Sequence, residues 1–237
     1  MKVILQLVLF LVLSTTIQAF STTNIQYLYG DFSGNSGFDT IKGGKHTVTL
    51  ENFSTNRYGD FFGFADFTFA DERFATSDKS SDVYVELSPR ISLSKTSERD
   101  LSFWFVKDLY LAAQYNRQLH KFKDFEAWLY GIGSDLNIKG LDVLGLNFYK
   151  KEKNFGSSTY QLSANYISNN IFNTNFTLNG FTDWTGQDFL SQNKLLYKLN
   201  YSPLSSKVYL GTEWHYYRVK DSDVKSNVLQ AVIMVAW

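Results

Sequence analysis

The chain has 237 residues, with 23 Lys and Arg against 23 Asp and Glu, no Cys, and 21 Phe, 15 Tyr and 5 Trp. The balanced charge argues against a nucleic-acid-binding protein, and the lack of Cys excludes disulfide frameworks and cysteine-ligated zinc. Charged residues make up only 19% and aromatic residues 17% of the chain, which disfavours a soluble cytosolic enzyme covered by Lys and Glu.

The first residues have the features of a secretory signal peptide. Lys2 precedes an almost unbroken apolar run over 3–13, and Ala19 supplies the small residue that is typical just before the cut. The run is shorter than the roughly 20 residues of a membrane-spanning helix, and no later stretch reaches about 18 apolar residues. We therefore predict a signal peptide over 1–19, cleaved after Ala19, and one mature domain over 20–237. An uncleaved anchor is the alternative.

The segment from Asp82 to Leu93 alternates between apolar and polar side chains. A period of two predicts a β-strand. The segment has 12 residues. This is close to the roughly 9 to 11 residues of a tilted membrane-spanning strand and about twice the length of an ordinary globular strand. The predicted apolar face consists of Val83, Val85, Leu87, Ile91 and Leu93.

Similar alternation recurs along the mature chain, and no helical period of 3.6 residues extends over comparable windows. An even number of long strands with alternating faces is the pattern of a small outer-membrane barrel. The sequence therefore predicts an all-β fold, a twelve-stranded antiparallel transmembrane β-barrel. The predicted strands are 24–32, 45–53, 58–70, 82–93, 108–118, 124–135, 141–151, 159–168, 173–184, 191–201, 206–219 and 225–237.

An even strand count brings both ends of the chain to one side of the membrane. Because an exported barrel is inserted from the periplasm, we predict that both termini are periplasmic and that the connections 33–44 and 71–81 face outward. The segment 94–107 is the exception, since it is long although it lies on the short-turn side. We expect it, with Phe103-Trp104-Phe105, to be tucked beneath the barrel mouth.

The last ten residues, Val228 to Trp237, also alternate, and the chain ends on an aromatic residue. Bacterial outer-membrane barrels commonly close in this way, with a terminal aromatic at the membrane interface. We therefore predict a closing strand that contacts outer-membrane lipids and is recognised by the barrel assembly machinery. A buried sandwich strand is the alternative.

Strand 58–70 is the hardest to orient because aromatic residues occur at both parities. A charge that faces lipid costs up to a few kcal/mol near the midplane, so Asp60 and Asp66 are expected to face the lumen and to bring Phe62 and Phe64 with them. Inward aromatic rings beside charges suit the stacking of a planar base. The equally weighted alternative is that the two rings pack against a loop folded into the lumen.

The side chains predicted to point inward are largely polar, so the lumen is expected to contain water. Twelve strands enclose only a narrow lumen. Glu86 and Arg90 lie on the same face of one strand, about 13 Å apart, and are expected to pair with neighbouring strands rather than with each other. The candidate lining of a substrate channel consists of Asp60, Phe62, Phe64, Asp66, Tyr84, Glu86, Arg90, Tyr110, Asn147, Tyr149, Glu213 and His215.

Seven short motifs along the chain together resemble the motif series of the Tsx-like nucleoside-specific channel-forming outer-membrane proteins. The resemblance implies a monomeric twelve-stranded barrel that passes nucleosides by passive diffusion through an aromatic- and charge-lined channel. It also implies a possible role as a phage or colicin receptor. The motifs are Asp60-Phe-Phe-Gly-Phe-Ala-Asp66, Glu86 to Leu93, Lys107-Asp-Leu-Tyr110, Tyr130 to Asp135, Leu146 to Tyr149, Gly180 to Asp183 and Gly211 to Tyr217.

Other chemistry receives little support from the sequence. His46, His120 and His215 lie on separate segments without metal-ligand spacing, and no cofactor motif occurs, so we expect no metal, no cofactor and no catalysis. Two alternatives to a channel stay open. One is a closed-lumen structural or adhesion barrel, and the other is an outer-membrane lipase, which needs Ser and His together on the lipid side.

Overall fold

The computed structural model describes residues 20–32, 43–70, 81–119, 124–201 and 205–237. The predicted signal peptide over 1–19 lies outside these ranges, and so do the predicted outer connections 33–44 and 71–81 apart from their edges. His120 is also outside the described residues.

Nearly all of the described chain forms β-strands. The strands are 10 to 14 residues long, as membrane-crossing strands must be. They are β1 (Phe20–Asp31), β2 (Gly44–Thr55), β3 (Gly59–Ala70), β4 (Ser81–Ser92), β5 (Val106–Leu119), β6 (Phe125–Leu136), β7 (Val143–Lys153), β8 (Thr159–Ser168), β9 (Phe176–Thr185), β10 (Asp188–Lys198), β11 (Lys207–Val219) and β12 (Lys225–Ala236).

Each strand pairs antiparallel with its neighbours in the sequence, and β1 also pairs with β12, so the sheet is a closed barrel. The seam aligns Asn24 with Ala236, and the backbones of Thr23 and Trp237 exchange two hydrogen bonds of 3.0 Å. Closure gives every strand two partners, which a bilayer requires because lipid cannot hydrogen-bond an open edge. The predicted twelve-stranded antiparallel barrel is confirmed.

The two faces of the sheet differ as the predicted alternation requires. Along β12, buried and exposed residues alternate, and Leu229 on the outer face is 66% exposed. Exposed apolar side chains of this kind are what a lipid-facing wall needs. Among the described residues, no helix is long and apolar enough to cross a membrane.

The predicted bounds of β1, β9 and β10 differ most from the structure, and β1 begins at Phe20, four residues before the predicted start. The predicted strand 191–201 corresponds to β10, which begins and ends three residues earlier. The cause is a tight turn at Thr185. The Thr185 hydroxyl lies 2.5 Å from the Asp188 carboxylate and accepts a hydrogen bond from the backbone N–H of Asp188. The predicted strand 173–184 is β9, which begins at Phe176. A 3-10 turn, Ile171–Asn173, precedes it and ends the preceding connection.

The segment between β4 and β5 forms a short helix followed by a tight turn. Helix α1 (Leu93–Ser97) is capped by the Ser92 hydroxyl, which accepts from the backbone N–H of Lys95 at 3.0 Å. Phe103 and Val106 then exchange two backbone hydrogen bonds. This turn holds Trp104 at a φ of 50° and leaves it 94% exposed, so the expectation that the aromatic triplet is tucked beneath the mouth is wrong.

The inner face is also less uniformly polar than the sequence predicts. Leu28, Leu196, Val232 and Met234 form a buried apolar cluster with Tyr209 against it. By the strand register, these residues belong to the inward face of β1 and β10 to β12. The inner wall is apolar here because apolar residues occur on both faces of the closing strand β12.

Candidate functional site

Contacts between strands that are not neighbours identify the inner face. The Lys194 ammonium on β10 donates to the Gln26 amide oxygen on β1 at 2.7 Å, although β11 and β12 lie between them. The same ammonium interacts electrostatically with Asp66 on β3, on the opposite side of the barrel. Side chains of this parity therefore face the interior, which is narrow enough for opposite walls to interact.

All twelve predicted lining residues share this parity. Asp60 pairs with Arg90, Phe64 with Glu86 and Asp66 with Tyr84 between β3 and β4. The register extends the same face to Tyr110 on β5, to Asn147 and Tyr149 on β7, and to Glu213 and His215 on β11. The structure brings Asp60, Arg90 and Tyr110 into one network and Phe62, Phe64, Tyr84 and Glu86 into another. A contribution of these residues to a substrate path stays a prediction.

Arg90 is the centre of the first network. Its guanidinium holds the Asp60 carboxylate with two hydrogen bonds of 2.8 Å and also contacts Asp135 on β6 at 2.9 Å. Tyr110 donates its hydroxyl to Asp135 at 2.9 Å, and its ring lies 4.1 Å from the guanidinium carbon. Arg90 thus pairs with neighbouring strands and not with Glu86. It is a fixed link across four strands rather than a mobile charge.

Aromatic rings form a ladder along the inner face of β3 and β4. The ring centroids of Phe62 and Phe64 are 5.9 Å apart, and those of Phe64 and Tyr84 are 5.7 Å apart. Phe53 lies opposite Phe62 in the register. At the end of this ladder, the Tyr84 hydroxyl and the Ser88 hydroxyl each donate to the Glu86 carboxylate at 3.3 Å. Planar apolar surface and a hydrogen-bonding carboxylate therefore lie side by side.

The wall opposite the aromatic ladder carries its own polar groups. Asp183 on β9 accepts from the Ser163 hydroxyl at 2.6 Å, and Lys151 donates to the Gln161 amide oxygen at 2.8 Å. The charges of Glu86 and Asp183 interact although β4 and β9 are on opposite sides of the barrel. Hydrogen-bonding groups therefore face the rings from across the lumen.

A third polar network surrounds Lys194. Its ammonium lies 3.4 Å from the Glu213 carboxylate, and the Gln230 amide donates to that carboxylate at 2.8 Å. Glu51, which also interacts electrostatically with Lys194, accepts from Asn24 at 2.8 Å. One ammonium thus balances several carboxylates, so the charges of the inner wall are largely held in hydrogen-bonded groups.

His215 and Asn147 also lie on the inner face. His215 is 1% exposed, with Nδ1 at 3.1 Å from the Gln192 amide nitrogen. Asn147 is buried, and its Oδ1 has no hydrogen-bond partner in the part of the chain that the structure describes. A side chain added at Gly133 would lie 2.2 Å from this oxygen, so the glycine makes room for it.

The outward histidine in the described ranges is His46. Its Nδ1 lies 2.6 Å from the Tyr27 hydroxyl, and its ring centroid is 4.8 Å from that of Tyr29. Both partners are tyrosines rather than serines. This arrangement lacks the Ser and His pair that the lipase alternative requires.

Four residues that hold the networks together are not among the lining residues predicted from the sequence, namely Gln26, Asp135, Asp183 and Lys194. Asp135 and Asp183 were within recognised motifs, and Gln26 and Lys194 were within predicted strands. The alternation of side chains along each strand could have identified them. It places each of the four residues on the inner face once the register between neighbouring strands is known.

A closed barrel with an apolar outer wall and a charged, aromatic inner wall defines the class of channel-forming outer-membrane barrels. Within this class, the family model described as "Nucleoside-specific channel-forming protein, Tsx" matches residues 26–222, so the chain belongs to that family. The chain is therefore a closed twelve-stranded β-barrel of this family.

Similar proteins include OmpK of Vibrio parahaemolyticus, 28% identical over 169 residues that cover 66% of this chain and 61% of OmpK. Tsx of Klebsiella pneumoniae is 30% identical over 172 residues, which cover 65% of this chain and 57% of Tsx. The chain thus spans about three fifths of the length of these relatives. Among solved structures, the KdgM porin in complex with disordered oligogalacturonate has a TM-score of 0.47 at 12% identity, covering 91% of this chain and 98% of KdgM.

Proposed function

We propose that this protein is a passive diffusion channel for nucleosides and that the twelve inward candidates line its path. The observation that carries this proposal is the aromatic ladder of Phe62, Phe64 and Tyr84 beside the Glu86 carboxylate on the inner wall. The names of the relatives and of the family support the same substrate class.

The two parts of a nucleoside match the two kinds of surface on the inner wall. A base is planar and stacks on aromatic rings with about 1 to 3 kcal/mol per base. A ribose presents hydroxyls, which can donate to carboxylates such as Glu86 and Asp183. Rings spaced 5.7 to 5.9 Å apart let a base move from one ring to the next while it keeps part of its stacking.

The charge of the inner wall favours a neutral solute. Asp66, Glu86 and Asp183 face the lumen near the ladder, whereas Lys194 and Lys151 are already held by Glu213 and Gln161. A phosphorylated nucleotide would bring its negative charge close to these three carboxylates. A passive channel of this kind needs no catalytic group and no cofactor, and we propose neither.

The function is tested by replacing both Phe62 and Phe64 with Ala. Loss of the stacking surface is expected to weaken nucleoside block of ion conductance about tenfold or more per lost contact, because about 1.4 kcal/mol corresponds to tenfold. The same change removes bulk from the lumen, so the single-channel conductance is expected to rise. The measurement is conductance in planar bilayers at fixed salt, with and without a nucleoside such as adenosine.

The matched control replaces Phe61 and Phe67 with Ala, since these rings lie on the same strand but on the outer face. Nucleoside block in this control should equal that of wild type. Equal block in the Phe62→Ala/Phe64→Ala protein would contradict the nucleoside site. A closed structural or adhesion barrel predicts neither block nor a rise in conductance, and an unselective pore predicts the rise alone.

We further propose that the mature domain begins after a signal peptide cleaved at Ala19, that both termini are periplasmic, and that the barrel is monomeric. Assembly would then proceed through recognition of the last strand by the barrel assembly machinery. A receptor role for phage or colicins would use the outer connections 33–44 and 71–81, most of which lie outside the described residues.

The orientation has a direct test. An epitope tag inserted next to Gly37 is expected to be accessible to antibody on intact cells, because an even strand number places this connection on the side opposite the termini. A tag inserted at Lys139, in the connection between β6 and β7, serves as the control and should be labelled only after the outer membrane is permeabilised. The reverse pattern would overturn the proposed orientation.

A further inference from the structure

The outer wall has a cleft of about 360 Å³ at the end of the barrel opposite the termini. It lies between the β9–β10 connection and the β11–β12 connection. A 2.8 Å hydrogen bond from the backbone N–H of Lys220 to the carbonyl of Gln187 links these two connections. The lining is aromatic and charged. It consists of Trp184, Thr185, Asp188, Phe189, Tyr216, Arg218, Lys220 and Asp221.

Within the described ranges, no carboxylate lies within ion-pair distance of the cations at this cleft. Arg218 lies directly opposite Lys225 on the outer face, and a like-charge pair in this position is destabilising. Neither residue, nor Lys220, forms an ion pair within 4.0 Å among the described residues. Two other outward cations near the same rim are paired, Arg117 with Asp124 at 3.2 Å and Lys150 with Glu152 at 2.7 Å. Among the described residues, Arg218, Lys220 and Lys225 are thus cations without an ion pair, whereas Arg117 and Lys150 on the same rim are paired.

Two acidic residues also line the cleft, but neither neutralises these cations. Asp188 accepts from the Thr185 hydroxyl at 2.5 Å and is thereby held in the turn before β10. Asp221 lies beyond ion-pair distance of both Arg218 and Lys220 in the described structure. An external anion would supply the missing counter-charge through charge-assisted hydrogen bonds to the guanidinium.

The groups of the cleft are arranged along the membrane normal as in an amphiphile-binding site. Lys220 and Arg218 are at the rim, and Tyr216 follows about 7 Å along the same face of β11 toward the middle of the barrel. The Tyr216 ring packs 5.9 Å from Phe189 and 5.8 Å from Trp214. Cations therefore lie at the head-group level and aromatic rings lie at the level where acyl chains begin.

We infer that this cleft binds the phosphate group of a membrane lipid in the leaflet opposite the termini. Arg218 and Lys220 hold the phosphate, Lys225 adds positive charge, and the rings of Trp184, Phe189 and Tyr216 contact the first part of the acyl chains. The groups that contact the lipid belong to the outward face of β9 to β11, whereas the proposed solute path follows the inward face.

The test measures lipid retention by the full-length barrel in a nonionic detergent. Native mass spectrometry is expected to show one tightly bound dimyristoyl phosphatidic acid on the wild-type protein. The variant Arg218→Gln/Lys220→Gln should bind it at least tenfold more weakly, whereas the matched control Arg117→Gln/Lys150→Gln, which changes two paired cations of the same rim, should bind it as wild type does. Both variants should migrate as folded barrels on unheated gels.

Two further probes identify the group that is recognised. Dimyristoyl glycerol, which lacks the phosphate, should not be retained, and inorganic phosphate should not displace the lipid at millimolar concentration. Equal retention of phosphatidic acid by all three proteins would overturn the site, and so would retention of the phosphate-free lipid. Displacement by inorganic phosphate would overturn the assignment to a lipid and make the cleft a free-phosphate site.

Discussion

Replacing Arg90 with Gln is expected to lower the free energy of unfolding of the barrel by about 3 to 5 kcal/mol. The change removes the cation that pairs with Asp60 and Asp135, whose side chains are only 8% and 25% exposed. Two negative charges are then left on the inner wall without a cation, although Asp135 keeps its hydrogen bond from Tyr110. It also breaks the link that joins β3, β4 and β6. The urea midpoint, followed by the heat-modifiable migration of the folded barrel, measures this loss.

Two variants separate a lost ion pair from a general effect of mutation. The triple variant Arg90→Gln/Asp60→Asn/Asp135→Asn should recover much of the stability, because no uncompensated charge is left in the barrel. Arg117→Gln, which breaks an exposed pair with Asp124, should change the free energy of unfolding by less than about 1 kcal/mol. An Arg90→Gln midpoint equal to that of wild type would contradict a stabilising role for the network.

Deletion of residues 233–237 is expected to abolish the compact, heat-modifiable form. The deletion removes four of the six aligned residue pairs between β1 and β12 and both backbone hydrogen bonds between Thr23 and Trp237. Two open strand edges would then remain, and their N–H and C=O groups have no partner in lipid. The fraction of compact barrel on unheated gels after refolding into detergent gives the readout.

The single substitution Trp237→Ala is the matched control for the deletion. It keeps the backbone pairing of the closing strand and removes only the exposed terminal ring, so it should reduce the folded yield much less than the deletion does. If the deleted protein reached the wild-type yield of compact barrel, the seam between β1 and β12 would not be needed for closure.

Alternation of side chains was enough to predict the barrel. Side chains alternate along a strand with a period of two, so the sequence of each predicted strand shows which residues share a face. The face that carries charged residues is then the one that points away from lipid. This is why the orientation of β3 follows from Asp60 and Asp66 without a structure. It is also why the inward parity of Phe62, Phe64, Glu86 and Arg90 in the structure agrees with the sequence.

The strands and the parity of their side chains could be predicted from the sequence, because both depend on residues that are neighbours along the chain. The contacts between inward groups could not, since they depend on how the whole barrel closes. Arg90 binds Asp135, 45 residues away, and Lys194 binds Gln26, 168 residues away, because barrel closure and the register between strands bring them together. Turn geometry likewise decided the start of β10 and the exposure of Trp104. The physical reason is that a contact across the lumen depends on the register of every intervening strand, and no local periodicity contains that information.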